Sequence, residues 1–176
     1  MDLRRALRRP GRQGRRAGVD IHRSRGCVGA MTAVRPAATG HPGYNVTKDA
    51  TPEAVEDVRR LARQAMCAWG LSEQAETAAL LISELLTNAI THTSSRSVRV
   101  IVARPTPNWA RVAVVDKAPG CLPEMRPLDL EKETGRGLRL VDAFADRWGY
   151  DLLGSHPTRG PWGKSCWAEL FVGGNQ

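Results

Sequence analysis

The 176-residue chain has no uninterrupted run of about 18 apolar residues, the minimum for a helix that crosses a bilayer. It also lacks the apolar stretch that a secretory signal carries behind its basic start. These absences lead us to expect a cytoplasmic protein with no membrane segment. No CxxC pair is present: Cys27, Cys67, Cys121 and Cys166 are scattered, with no histidine at ligand spacing, so neither a zinc site nor a disulfide framework is suggested. Cys67 and Cys166 fall within apolar patterns and read as small core residues of a reduced protein. No internal repeat is found either, which excludes solenoid and propeller architectures.

Charge is present in excess, but only at the front. The formal net charge is +8, and the first 35 residues hold ten arginines against Asp2 and Asp20, leaving sixteen basic and sixteen acidic residues in the remainder. The front segment is Arg- and Gly-rich, with no period that could bury a face. Residues 1–43 are therefore expected to be a disordered extension, with Met31 as an alternative translation start, and residues 44–172 to be the folded domain. An arginine arm could touch nucleic acid, but the balanced remainder makes that partner class disfavoured.

Helix and strand signals follow in a readable order. Thr51 as N-cap, Pro52 at the first helical position and Gly70 as stop bracket a helix buried through Val55, Val58, Leu61, Ala62, Ala65 and Met66. A second helix, capped by Ser72 with Glu73 and Glu76 in its first turns, runs to about His92 and buries Ala75, Ala78, Ile82, Leu85 and Ala89. A short strand is expected near Tyr44 to Val46, and a hairpin from runs 97–104 and 109–116. Residues 117–136, rich in proline, glycine and charge, are too long for an ordinary connection and read as a functional loop or lid. A short helix after Gly137 and strands over 148–153 and 165–172 complete the pattern, which predicts an α/β (α+β) two-layer sandwich.

Three features carry chemistry. In the second helix, Glu84, Asn88 and His92 recur every fourth residue and drift only about 40° per step, forming one polar ridge beside the buried face. A carboxylate and an amide held there suit proton transfer and metal binding. The run VAVVDKAPG ends a strand on Asp116, which can accept a hydrogen bond from the exocyclic amine of a base. GRGL, from Gly135 to Leu138, opens a helix with glycines that let backbone amides approach phosphates.

In order and spacing, ELLTNAITH, then D-x-x-P-G, then GRGLRLV, the chain resembles the N box and the two glycine boxes of the GHKL ATPases. It is most similar to the stand-alone anti-sigma-factor serine kinases of actinobacteria, through GRGLRLVDAFADRWG and the final GKSCWAEL. The resemblance implies a Bergerat-type sandwich whose mixed, mostly antiparallel sheet packs on helices and binds ATP and Mg²⁺. By position, it implies Mg²⁺ on Asn88, Glu84 as catalytic base, Asp116 on the adenine amine, and Gly120, Gly135, Arg136, Gly137 and Leu138 around the nucleotide. Ser165 stands where a threonine is frequent near the adenine end. Arg136 and Lys164 are further phosphate candidates by charge. Implied partners are an anti-anti-sigma protein of the STAS type, a sigma factor and a second copy of the chain; an ATP-binding interaction module with negligible turnover is the alternative activity. One departure stands out: the usual D-x-G-x-G reads Asp116, Lys117, Ala118, Pro119, Gly120, so the first glycine is replaced by alanine.

Overall fold

A computed structural model describes residues 6–7, 35–36, 42–125, 136–154, 157–158 and 160–173. Its elements in chain order are β1 (Ala6–Leu7), β2 (Arg35–Pro36), β3 (Pro42–Asp49), α1 (Ala54–Ala68), α2 (Ala75–His92), β4 (Ser97–Thr106), β5 (Trp109–Asp116), α3 (Gly137–Phe144), β6 (Arg147–Leu153) and β7 (Gly163–Phe171). The strands form one sheet in the order β1-β6-β7-β5-β4-β3-β2. Every pairing among the described residues is antiparallel. Helices α1 and α2 pack on each other, and α2 also meets α3, β5 and β7. This is the expected two-layer sandwich. Of the extension expected to be disordered, only β1, β2 and the first two residues of β3 are described, and residues 126–135, half of the expected lid and including Gly135, lie outside the described residues.

The core lies between the sheet and the helices. Alternation puts Val98, Val100 and Val102 of β4, Val112 and Val114 of β5, and Ala168 and Leu170 of β7 on one face, all buried against Met66, Leu81, Ile82 and Leu86. The stripe expected on α2 is buried as read, but Ala79, Leu81, Ser83 and Leu86 are buried too. The helix is enclosed on more sides than an amphipathic surface helix because it touches α1, α3 and the sheet. On α1, Val55 and Leu61 are only partly buried.

Boundaries differ from expectation where local bonds compete with the helix. Residues 51–53 form a turn ahead of α1, in which Ala54 N–H donates to Thr51 O at 3.1 Å and Val55 N–H to Pro52 O at 3.1 Å. Glu53 rather than Thr51 is the N-cap, and neither it nor Gln74 ahead of α2 makes a side-chain cap bond. Ser72 sits in a single 3₁₀ turn, Ser72–Gln74, before α2 begins. Gly70 ends α1 as read: its φ of +74° is left-handed and costs little without a Cβ. Strand β3 runs eight residues, well beyond the Tyr44 to Val46 expected, because it pairs with β4 from Gly43↔Ala103 to Asp49↔Ser97 and Pro42 pairs with Pro36 of β2.

Candidate functional site

Two groups of side chains on the helix-facing side of the sheet correspond to the residues singled out in the sequence. The first lies where α2 meets the start of α3. Glu84 and Asn88, one turn apart, are half-buried rather than core residues. Gly137, the first residue of α3, is so close to them that a Cβ there would stand 2.6 Å from Glu84 Oε2 and 3.5 Å from Asn88 Oδ1. Only a residue without a side chain leaves the space between this helix end and the carboxylate open. Asn88 Nδ2 is buried and has no hydrogen-bond partner among the described residues, although buried amides are nearly always paired. An N–H donor left so beside a glycine cradle and a helix N-terminus suits an acceptor such as a phosphate oxygen, while the side-chain oxygen of Asn88 is the atom that could face a cation. Burial raises the Glu84 carboxyl above the usual glutamate range, and the nearby charge of Arg59 on α1 opposes that rise. Arg59 enters from a helix that offered no motif; its Nε is also buried and unpartnered among the described residues.

The second group closes the end of β5. Asp116, its side chain 2% exposed, accepts two hydrogen bonds on Oδ1, from Lys164 Nζ at 2.8 Å and from Ala118 N–H at 2.8 Å. Lys164 Nζ also donates to Ala118 O at 2.9 Å. The turn is fixed further by Lys117 N–H on Ser95 Oγ at 2.9 Å. Gly163 lies against this turn, with its would-be Cβ 2.5 Å from Asp116 O. Lys164, expected on charge alone to reach phosphate, is instead turned inward onto Asp116. The pairing register explains this, because Asp116 lies opposite Lys164 while Ser165 lies opposite Val115 and Asp151. Paired residues share a face, so Ser165 points to the side of the sheet away from Asp116. The β7 residue that meets the acid is Lys164, and counting strand parity back from Trp167 and Glu169 was the available signal.

Of the other expected residues, Arg136 is exposed at the N-cap of α3, Leu138 is partly buried in its first turn and Gly120 is exposed after β5. His92 is exposed at the end of α2, away from the buried part of the ridge. Among the described residues no three His, Cys, Asp or Glu side chains gather as a metal cluster. A cation at Asn88 would take its other ligands largely from phosphate oxygens and water, as Mg²⁺ at nucleotide sites does.

The antiparallel sheet on helices, with a helix-borne carboxylate and amide facing a glycine-started helix, is the architecture of a nucleotide-binding ATPase domain. The family model for the histidine kinase-like ATPase domain matches residues 49–158, more than half of the chain, and the chain belongs to that family. It is an ATP-binding domain of the GHKL type. The matched span contains Glu84, Asn88, Asp116 and Gly137 but stops before β7, so Lys164 and Ser165 lie beyond it. A comparison with curated proteins gives no match.

Proposed function

We propose that this chain binds Mg-ATP against α2, β5 and the start of α3 and phosphorylates a serine on an anti-anti-sigma partner of the STAS type, thereby controlling a sigma factor. The observation that carries the reading is the approach of Gly137 to Glu84 and Asn88, which leaves a carboxylate, an amide and a helix N-terminus facing one space. In this reading Asn88 holds Mg²⁺ through its side-chain oxygen. When bound, the ion supplies positive charge against the phosphates during phosphoryl transfer. The backbone amides of Gly137 and Leu138 face the phosphates, with Arg136 beside them, and Asp116 accepts a hydrogen bond from the adenine amine. Glu84 takes the proton of the partner's serine hydroxyl, and the rise in its carboxyl makes it a better base once ionised. A second copy of the chain is proposed as a further partner.

The test is transfer of labelled γ-phosphate from ATP to a panel of STAS partners, with Glu84→Ala as control. Transfer to at least one partner, abolished in the variant, is expected. Mg-ATP binding without transfer to any partner would replace the kinase by a module that uses ATP only to set the shape of its partner surface.

A further inference from the structure

Among the described residues, Lys164 is the charged side chain bonded to the end of β5 that the family match does not cover, and its surroundings fix what it can do. Its side chain is 4% exposed and Asp116's is 2% exposed. Moving the ammonium out to a phosphate would strand a buried carboxylate, so the pair is a fixed part of the wall. An ammonium has three N–H donors. Two go to Asp116 Oδ1 and Ala118 O, and the third has no acceptor among the described residues. Both hydrogen bonds to Asp116 from described residues use Oδ1, so the pair offers one carboxylate acceptor and one ammonium donor side by side.

We propose that Lys164 selects the base: it stays paired with Asp116 when nucleotide is bound and donates to N1, the ring nitrogen beside the adenine amine. The proposal rests on the nucleotide reading above. Adenine presents an amine donor next to the N1 acceptor, and the carboxylate's second oxygen and the ammonium's third N–H, kept adjacent by the 2.8 Å Lys164 Nζ–Asp116 Oδ1 bond, complement that edge. Guanine and hypoxanthine carry a carbonyl oxygen and an N–H at the same two positions, so their donor and acceptor are reversed and meet the pair in the wrong order. The replacement of glycine by Ala118 fits the same device. The N–H of Ala118 is held by Asp116 and its carbonyl by Lys164, so the turn is tied in place rather than left to glycine's freedom.

The experiment titrates the full chain by calorimetry with Mg-ATP and with Mg-1-deaza-ATP, in which a C–H replaces N1. Wild type is expected to bind ATP at least about tenfold more tightly than the analogue, the size of a hydrogen bond from a charged donor. Lys164→Met should bind the two alike. The double variant Asp116→Asn/Lys164→Met, which strands no charge if the single variant folds poorly, should also show no preference. An equal preference in wild type and the variants, or none in wild type, would overturn the role of Lys164 while leaving the ATP site standing. Failure of wild type to bind Mg-ATP at all would overturn the nucleotide reading and this inference with it.

Discussion

Glu84 is asked to be both buried and ionised, and the two demands separate its effects on activity and stability. Because burial raises its carboxyl, the folded chain holds that proton more tightly than the unfolded chain does. The stabilisation from protonated Glu84 is present at low pH and is lost as pH rises through the raised value. Glu84→Gln should therefore melt at or above the wild-type temperature at pH 7, with the difference shrinking as pH falls toward the usual glutamate range; a lower melting point at pH 7 would show that the carboxylate is stabilising. Under the proposed kinase activity, the same variant should transfer phosphate about 100- to 10,000-fold more slowly, the span attributed to a general base. Wild-type transfer should rise with pH through the raised Glu84 value. Gly137→Ala tests the neighbouring contact. The atom that the new methyl meets is the free end of a flexible side chain, so the carboxylate should yield and the helix should not. Denaturant stability should stay within about 1 kcal/mol of wild type, while transfer falls on the order of 100-fold.

Strand β7 contributes to the site through register, and this is where reading the sequence alone fell short. Its period is clear, yet choosing between Lys164 and Ser165 needs the pairing partner, and a slip of one residue exchanges the faces. The helices were more legible. The 3.6-residue period of α1 and α2 and the stop at Gly70 stand in the sequence, as does the ridge of Glu84 and Asn88, because these depend on neighbours three and four residues away. Starts were misplaced where residues 51–53 and 72–74 preferred tight turns to side-chain caps. Several residues behind the resemblance are joints of the fold. Trp148 Nε1 donates to Asp142 Oδ1 at 3.0 Å, Asp146 Oδ2 accepts from Phe171 N–H at 2.7 Å, and Val141 is fully buried. Gly163→Ala should cost about 1–3 kcal/mol in urea unfolding, since the backbone oxygen it would strike cannot swing away. Glu169, its side chain 7% exposed, joins Arg111 at 2.7 Å and Arg147 at 3.9 Å across three strands, and those arginines lie over Trp167 and Trp109. Glu169→Ala should cost about 1–2 kcal/mol by the same measurement, because the part-exposed arginines can rehydrate; a change below about 0.5 kcal/mol would mean the ladder adds nothing to the sheet.

Along the sequence, the positive charge and the chemistry are separate. The excess of arginine lies in the first 35 residues, while the candidate site is built from α2, β5, α3 and β7. Helix α2 is the common member: it carries Glu84 and Asn88, and it packs on α3, β5 and β7, which bring Gly137, Asp116 and Lys164. If these residues serve one nucleotide, changes at either group must weaken the same binding event. Titration of the wild-type chain with Mg-ATP, against Asn88→Ala and Asp116→Ala, tests that most directly. The account predicts one ATP per chain for wild type and at least about a tenfold loss of affinity in each variant, the cost of leaving one polar partner unmet. No binding by wild type, or binding that neither substitution disturbs, would contradict it.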